Sequence, residues 1–329
     1  MKYQSIVNNK IQCEICPRKC RLKNNQRGFC YVRRNHNGQI VLDSYGYNTG
    51  LAIDPVEKKP LYHFYPNSKV LSFGTLGCNM GCLFCQNSHI TKVQTPIEQC
   101  QKVSCEEIVK TAKKYNCEAI AFTYNDPIVF FEYAIDTAKL ARKENIKTIA
   151  VTSGYINEEA RKEFFSYMDA VNIDLKGFSE VFYNKNCLAH LKPVLDTIKY
   201  VALETNCHLE LTTLIIEGEN DQYLDMECDW ITENIGYDIP IHFSAFFPRY
   251  KYINRLQTKF ETLQKAYNLA KSKGLKYVYT GNLATITTSS TYCSNCKKEL
   301  IIRNGYNIIE NNLENGLCKY CKTKLYGCF

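Results

Sequence analysis

The sequence contains no apolar run that approaches the roughly 20 residues of a membrane helix. Its first residues, MKYQS, lack the apolar stretch of a secretory signal peptide. It also has no internal repeat and no low-complexity segment. We therefore expect a cytoplasmic protein without a membrane partner. With 329 residues, of which 45% are hydrophobic, the chain can form one large catalytic domain with small appendages.

What the sequence does contain is cysteine, at eighteen positions. In a reducing cytosol these residues are not expected to form a disulfide framework, so metal ligation is the better explanation. The C-x2-C spacing, which is typical of metal-binding knuckles, occurs four times. The four pairs are Cys13/Cys16, Cys82/Cys85, Cys293/Cys296 and Cys318/Cys321.

Positive charge is concentrated at the amino terminus. Residues 1–34 hold nine Lys and Arg against one acid, Glu14, so they account for the whole net charge of +8. Such a segment can attract an acidic electron-donor protein or a nucleic acid, or it can be a solvated basic surface. Of these interpretations, a nucleic-acid partner is the one that we do not expect.

The pattern divides the chain into three parts. Residues 1–68 form a basic, Cys-rich segment and a connector, residues 69–285 form a regular core, and residues 286–329 form a Cys-rich tail. In the core, short apolar runs alternate with helical patterns. The predicted strands cover residues 70–74, 119–124, 148–152, 170–174, 208–216, 240–243 and 277–280. This alternation predicts an α/β fold with parallel strands, in the form of a partial (βα)6-type barrel whose ligands gather at the carboxyl ends of the strands.

The segment GCNMGCLFCQN follows the first predicted strand. It places Cys78, Cys82 and Cys85 in a C-x3-C-x2-C arrangement on a short loop. Three thiolates can hold three irons of a 4Fe–4S cluster, which leaves the fourth iron without a protein ligand. An open coordination position is the mark of a catalytic metal site. A zinc site and buried free thiols are the alternatives.

This motif resembles that of the radical S-adenosylmethionine (SAM) superfamily. In that family the amine and carboxylate of SAM chelate the open iron, and an electron from the cluster breaks the C5′–S bond. The resulting 5′-deoxyadenosyl radical abstracts hydrogen from a substrate. The resemblance implies a 4Fe–4S cluster and SAM as cofactors, and it places Phe84 near the adenine.

The later strand ends also resemble the family. TYNDP stands in place of a Gly-Gly-Glu-Pro segment that holds the methionyl amine, which implies contacts from Tyr124, Asn125 and Asp126. No glycine is present there, and a helix cap before Pro127 is the alternative. TSGY resembles a Thr-Asn-Gly segment of glycyl-radical activating enzymes, which implies a ribose contact from Ser153.

NIDLK matches an Asp-Leu-Lys segment of the same activating enzymes. It implies that Lys176 pairs with the methionyl carboxylate and that Asp174 accepts from the ribose or the amine, with a surface ion pair as the alternative. His242 stands where the family has a ribose-contacting histidine. A buried histidine that makes its hydrogen bonds within the core is the alternative. Cys187 is the one candidate for a catalytic residue near the substrate, and a buried free thiol is the other interpretation.

A closer resemblance extends over nearly the whole chain. The strings DPVEKKPLYHF, TYNDP, NIDLKGF, FFPRYK and YVYTGN resemble the AmmeMemoRadiSam family, radical enzymes related to pyruvate formate-lyase activating enzyme. Asn67 stands where that family usually has Gly, and Ala245 where it usually has Arg. The resemblance implies AMMECR-like and Memo-like proteins as partners, but it does not supply a substrate.

The two ends of the chain each carry a four-thiol set. The tail set has the spacing of a zinc ribbon, and a second iron–sulfur cluster is the alternative. It consists of Cys293, Cys296, Cys318 and Cys321. Because about 40 residues bury too little core to fold alone, a metal would stabilise the tail.

The amino-terminal set fits zinc and an auxiliary 4Fe–4S cluster equally well. It consists of Cys13, Cys16, Cys20 and Cys30. An auxiliary cluster would relay electrons, and the basic surroundings would then dock an acidic donor such as flavodoxin or ferredoxin.

The sequence therefore predicts a radical SAM enzyme that acts on a protein or on a small molecule. Activation of a glycyl-radical enzyme is one version of this hypothesis. Radical modification of RNA is a second hypothesis, motivated by the basic amino terminus and the ribbon. A metal-binding adaptor that has lost catalysis is a third.

Overall fold

The computed structural model describes residues 2–92 and 97–329. Strands β1 to β20 span, in chain order, Gln4–Val7, Lys10–Cys13, Arg21–Leu22, Arg33–His36, Gln39–Leu42, Tyr47–Asn48, Leu51–Pro55, Lys69–Phe73, Gln101–Lys102, Ala119–Phe122, Lys147–Thr152, Ala170–Asp174, His208–Ile215, Ile241–Ala245, Val278–Gly281, Thr291–Tyr292, Glu299–Asn304, Asn307–Asn311, Leu313–Glu314 and Leu317–Cys318. Helices α1 to α9 span Ser88–Thr91, Cys105–Lys114, Phe131–Lys143, Glu158–Phe165, Glu180–Phe182, Leu191–Glu204, Leu224–Ile235, Phe260–Ser272 and Ile286–Ser289.

The centre of the fold is an eight-stranded sheet with the order β15-β14-β13-β12-β11-β10-β8-β7. The strands from β8 to β15 in this sheet are parallel, and β7 pairs antiparallel with β8. All four residues of β10 are buried, as expected for a parallel sheet that is covered on both faces. The seven predicted core strands and the α/β class are thus confirmed. The pattern did not predict β7, which brings part of the connector into the sheet.

Amphipathic helices cross over between the parallel strands. Helix α2 shows how the sequence starts one of them. Ser104 accepts from the Glu107 backbone N–H, while the Glu107 side chain accepts from the Ser104 backbone N–H. The helix then buries one face that includes Ile108 and Ala112, and it exposes charged residues on the other.

The amino-terminal segment consists of very short antiparallel strands. Strands β1, β2 and β3 form one small sheet, β4 pairs with β5, and β6 pairs with β9. The backbone N–H of Cys13 donates to the carbonyl of Cys20 at 3.0 Å, which closes the loop that carries the first three cysteines. Strands of two to four residues have too little periodicity to be recognised from the pattern.

The tail folds into a three-stranded sheet of β16, β17 and β18 and a hairpin of β19 and β20. It packs on the chain through a separate cluster of buried side chains. This cluster comprises Tyr62, Tyr277, Tyr279, Cys293, Leu300, Cys318 and Leu325. The last residues return to the connector, where the Tyr65 N–H donates to the carbonyl of Cys328 at 2.7 Å. Over the residues that the structure describes, no helix combines the length and the apolar character needed to cross a bilayer.

Candidate functional site

One cavity of about 1330 Å³, which opens to solvent, lies at the carboxyl edge of the large sheet. Residues at or just after the end of each of the seven parallel strands line it. Seven residues illustrate this, one for each of the parallel strands β8 and β10 to β15: Cys78, Asp126, Thr152, Lys176, Leu214, Ser244 and Asn282. The structure therefore gathers the polar strand ends around a single space, as the parallel topology predicts.

Three cysteines line this cavity, and all three belong to the loop after β8. The loop begins at Gly74, where only glycine fits. A Cβ at Gly74 would lie 2.3 Å from the carbonyl oxygen of Thr123 and 2.7 Å from Oδ1 of Asn125. The close approach of the β10 end to the β8 end therefore fixes the start of the cluster loop.

The side chain of Asn125 holds the first half of this loop. Its Oδ1 accepts from the backbone N–H of Thr75 at 2.9 Å, and its Nδ2 donates to the carbonyl oxygens of Leu76 and Gly77 at 3.2 and 2.9 Å. Because Asn125 is buried, these groups have no water to replace it. The residue thus sets the backbone that presents Cys78, and these three contacts use its side-chain amide.

A second element supports the other half of the loop. Residues Tyr183–Cys187 form one π-helical turn, and the carbonyl of Cys187 accepts from the Gly81 N–H at 2.8 Å. The next residue, Leu188, packs so closely that a Cβ on Gly81 would lie 2.7 Å from it. The loop is thus held from both sides and keeps its three thiols in place.

The donor set fits an iron–sulfur cluster better than a single ion. Among the described residues, Cys78, Cys82 and Cys85 are not part of any group of three or more ligands that lie within 4.8 Å of one another. A cubane cluster separates its thiolates by about 6 Å, because the irons lie between them. Burial raises the pKa of Cys78 to about 12, whereas hydrogen bonding from Cys187 and the nearby Lys176 and Lys92 lower the pKa of Cys82. Bound iron would keep such thiols deprotonated.

Asp126 joins the ends of β10 and β11. Its carboxylate accepts from the Thr152 hydroxyl at 2.9 Å, from the Ser153 N–H at 2.9 Å and from the Ser153 hydroxyl. It also accepts from the Ile128 N–H and caps the short helical turn that follows. The capping role weighed from the sequence is therefore present. Asp126 and Ser153 both line the cavity, although their mutual hydrogen bonds already use much of their capacity.

Asp174 and Lys176 lie on the cavity wall as an ion pair. The Lys176 ammonium is 2.9 Å from Oδ2 of Asp174, and the two side chains are 17% and 34% exposed. The carboxylate of Asp174 and the Cys82 thiolate raise the pKa of Lys176 against the opposing effect of burial. The pair is therefore more buried than a typical surface ion pair, and both charged groups already have a partner. The positively charged Lys176 is part of the cavity wall.

Phe84 lines the cavity beside the cluster loop and is buried. Its ring lies 6.0 Å from that of Phe182 and 6.1 Å from that of Tyr252. The structure therefore places an aromatic wall beside the third cysteine.

Tyr124 brings in two residues that the sequence analysis did not select. Its hydroxyl donates to Asp54 at 3.2 Å, and Asp54 also pairs with Lys59 at 2.7 Å. Lys59 is buried, lines the cavity and lies 5.1 Å from the centre of the Tyr124 ring. Burial lowers the pKa of Lys59. The doubled lysine of DPVEKKP was the available signal, but the pattern did not show that the second lysine turns inward.

The structure places His242 outside the lining of the cavity, and the ribose contact stays a prediction. His242 is the second residue of β14, near the amino edge of the sheet, whereas Ser244 on the same strand lines the cavity. Its Nε2 lies 2.7 Å from the buried carboxylate of Glu210, which also pairs with His208 at 3.0 Å. These contacts agree with the core alternative weighed from the sequence, because the position within the strand decides which edge the side chain reaches.

Cys187 also lies outside the cavity lining. It is fully buried behind the cluster loop, where its thiol contacts Cys82. The structure thus agrees with the interpretation as a buried thiol, and the catalytic role stays a prediction.

The tail cysteines form a compact group. Sγ of Cys293 is 3.5 Å from that of Cys321, Sγ of Cys296 is 3.7 Å from that of Cys318, and all four lie within 4.8 Å of one another. These spacings suit one tetrahedral ion, whose thiolates lie about 3.8 Å apart at a metal–sulfur distance of about 2.3 Å. The set could therefore hold a metal ion.

The comparisons with known proteins agree with this geometry. The profile of the radical SAM superfamily matches residues 73–231. The uncharacterized protein MJ0808 of Methanocaldococcus jannaschii is 42% identical to this chain over 329 residues, which cover 99% of this chain and 98% of that protein. The chain belongs to the radical SAM superfamily.

The solved structure of SuiB shows the same fold at low identity. SuiB of Streptococcus suis, bound to its precursor peptide SuiA, matches with a TM-score of 0.52 and 12% identity over 69% of this chain and 51% of SuiB. A domain of pyruvate-formate lyase-activating enzyme from Bacteroides vulgatus matches with a TM-score of 0.44 and 19% identity, over 50% of this chain and 99% of that domain.

Proposed function

We propose that this chain is an enzyme that holds a 4Fe–4S cluster through Cys78, Cys82 and Cys85 and uses it to cleave SAM reductively. The observation that carries the proposal is the cavity lining. Three thiols of one braced loop reach the cavity, and no fourth cysteine among the described residues lines it. A cluster held there would keep one iron open toward the polar strand ends.

When bound, the cluster would supply the electron that splits SAM into methionine and a 5′-deoxyadenosyl radical. The chain's own residues would bind and orient the substrate of that step. Lys176 presents a cation suited to the methionyl carboxylate, and Asp174 presents an acceptor. Phe84 offers an apolar face for the adenine, and Asp126 and Ser153 also line the cavity.

We further propose that the sheet curves into a partial (βα)6-type barrel and that the tail set binds zinc. The lining of one cavity by seven consecutive strands supports the curvature. The sulfur–sulfur distances of 3.5 and 3.7 Å support zinc.

The closer assignment to the AmmeMemoRadiSam family, related to pyruvate formate-lyase activating enzyme, is also part of the proposal. It is supported by the strings that contribute Lys59, Tyr124, Lys176 and Asn282 to one cavity. The partners proposed from it are AMMECR-like and Memo-like proteins, with flavodoxin or ferredoxin as the electron donor. The substrate would be a protein, such as a glycyl-radical enzyme, or a small molecule.

Electron paramagnetic resonance on anaerobically reconstituted protein tests the site. The dithionite-reduced protein should give a cluster signal that SAM changes in shape and g-values, because SAM binds the open iron. The triple variant Cys78→Ala, Cys82→Ala, Cys85→Ala should lose the SAM-responsive signal, whereas Cys105→Ala, a buried cysteine on α2, should retain it. A signal that SAM leaves unchanged in the unmodified protein would remove the proposal.

A further inference from the structure

The amino-terminal cysteines line a second cavity, separate from the one at the carboxyl edge of the sheet. This cavity, of about 390 Å³ with its opening to solvent included, is walled by Cys13, Cys16, Cys20 and Cys30, together with apolar residues such as Ile128. All four residues predicted from their spacing therefore face one volume. Four unrelated buried thiols would have no reason to face the same cavity, and they would instead lie at separate places in the core.

The spacing of the thiols separates this set from the tail set. Only the tail cysteines, among the described residues, form a group of three or more ligands that lie within 4.8 Å of one another. In the tail set the sulfur atoms are close enough together to bind a single ion. In the amino-terminal set and in the Cys78 loop they lie farther apart. Thiolates around one zinc ion lie about 3.8 Å apart, while those around a four-iron cube lie about 6 Å apart. The amino-terminal set shares the wider arrangement with the loop of Cys78.

Backbone contacts fix this set in place without using the thiols. The Asn157 amide donates to the carbonyl of Cys16 at 3.1 Å, and the N–H of Cys13 donates to the carbonyl of Cys20 at 3.0 Å. The donors are therefore preorganised around the cavity.

The second cavity shares a wall with the cluster loop. Asn79, the residue after Cys78, lines it, and Arg18 donates to the Asn79 carbonyl. On the other side of Cys78, Gly77 packs directly on Cys30. A Cβ at Gly77 would lie 2.1 Å from the carbonyl oxygen of Cys30. Residues on both sides of the first cluster ligand thus contact the amino-terminal site.

We propose that Cys13, Cys16, Cys20 and Cys30 bind a second 4Fe–4S cluster, which passes electrons to the cluster of the Cys78 loop. A low-potential one-electron donor of the flavodoxin or ferredoxin class reduces this cluster by one electron. The same electron then reduces the neighbouring cluster, so the donor is oxidised once, the second cluster returns to its oxidised state and no bond to sulfur changes. The relay role rests on the proposed function, whereas the metal site does not.

Metal analysis of the full chain, reconstituted without oxygen, tests the site. The unmodified protein should contain about eight irons and eight sulfides, and the variant that lacks Cys78, Cys82 and Cys85 should retain about four of each with its own resonance signal. The variant Cys16→Ala, Cys20→Ala should also retain about four irons, and Cys105→Ala should retain about eight. If the variant without the loop cysteines contains no iron, whether it carries a second zinc or four free thiols, the second cluster is ruled out.

A separate measurement tests the transfer of electrons from the second cluster to the loop cluster. In the Cys16→Ala, Cys20→Ala variant, the rate of 5′-deoxyadenosine formation driven by reduced flavodoxin should fall at least tenfold relative to the rate driven by dithionite, which can reach the loop cluster directly. An unchanged ratio of the two rates would overturn the relay. Iron retained in the loop variant, together with no 5′-deoxyadenosine from the unmodified protein, would refute the proposed function but leave the second cluster standing.

Discussion

Asn125 and Gly74 are adapted to each other at the point where the cluster loop leaves the sheet. The amide of Asn125 serves one N–H and two carbonyl groups of residues 75–77, and Gly74 gives that amide the space to approach. Both an acceptor and a donor are required on the same side chain. An ionised acid at position 125 supplies no donor, and an alcohol supplies only one donor for the two carbonyl groups.

We predict that Asn125→Asp lowers the iron content of the reconstituted protein from about eight irons to about four, because the loop cluster is lost while the amino-terminal cluster remains. The new carboxylate oxygen would face the carbonyls of Leu76 and Gly77, so two hydrogen bonds become repulsive contacts and the loop loses its shape. Iron and sulfide analysis measures the effect. The control Asn268→Asp keeps the acceptor of an exposed hydrogen bond and should contain the normal amount of iron. Equal iron in both variants would contradict this role of Asn125.

A second residue-scale prediction concerns Glu227 on α7. Burial raises the pKa of Glu227 to about 8, even though the Thr213 hydroxyl donates to it. The folded protein therefore keeps this group protonated at pH values where the unfolded chain releases the proton. Its contribution to stability is present below about pH 4.5 and is lost as the pH rises toward 8.

Glu227→Gln should remove this dependence. The free energy of unfolding of the variant, minus that of the unmodified protein, should rise with pH between about 4.5 and 8, by at most about 1.4 kcal/mol per pH unit. Urea unfolding at pH 5 and pH 8 measures it. With the exposed Glu106→Gln the difference should be flat. A flat difference for Glu227→Gln as well would show that the group is not held neutral.

At the scale of residues, the spacing of cysteines in the sequence predicted the metal ligands. The sequence did not show in which direction an individual side chain points. The C-x3-C-x2-C loop and the tail set were found because a metal requires its ligands at short, regular intervals. The motif did not show how far along its strand His242 lies. Lys59 was missed because burial of a lysine depends on a partner, Asp54, whose contact only the fold reveals.

Among the elements, the tail is tied to the connector by a buried charge. Arg303 on β17 is fully buried, and its guanidinium donates to the Tyr62 carbonyl at 2.7 Å and to the Thr291 hydroxyl at 2.8 Å. It also lies 3.9 Å from the buried carboxylate of Glu57. The tail thus contributes a cation that faces the buried carboxylate of Glu57 in the connector.

Arg303→Met should destabilise the protein by about 3 to 5 kcal/mol, because it leaves Glu57 buried without a cation. Arg255→Met is the matched control. It removes a half-exposed arginine that pairs with Glu219 and should cost about 1 kcal/mol or less. Denaturant unfolding compares the two, and limited proteolysis should show early cleavage of the tail in Arg303→Met alone. Similar losses in both variants would mean that the junction does not depend on this arginine.

The elements that could be predicted from the sequence are those with a strong local pattern. Each parallel strand of the core is buried on both faces and therefore reads as a short apolar run in the sequence. Each crossover helix has one apolar face and therefore shows apolar residues at helical spacing. The division at residue 69 is not tested by the fold and stays a prediction. Strand β7 was not predicted, because its partner β8 decides that the connector joins the sheet.

For the whole molecule, the uneven charge gives the amino-terminal segment an electrostatic role. Lys19 and Lys23 are exposed near the second cavity, on either side of Cys20. A donor with an acidic surface would be steered to this face, and added salt would screen the attraction.

We predict that Lys19→Glu, Lys23→Glu raises the KM for reduced flavodoxin severalfold at low ionic strength and has little effect at 0.5 M salt. Lys110→Glu, Lys265→Glu changes the net charge equally on exposed helix positions elsewhere and should leave the KM nearly unchanged. Steady-state assays at two salt concentrations measure both. Equal effects of the two double variants would locate the donor elsewhere.

The central claim is that three thiols of one loop create an iron position that is open to SAM. The most direct test is the amount of 5′-deoxyadenosine formed from SAM by the anaerobic, dithionite-reduced protein, measured by chromatography against Cys82→Ala. The account predicts that 5′-deoxyadenosine is formed by the unmodified protein and is reduced to background in the variant. Formation of equal amounts by both proteins, or of none by an unmodified protein with a full iron content, would contradict it.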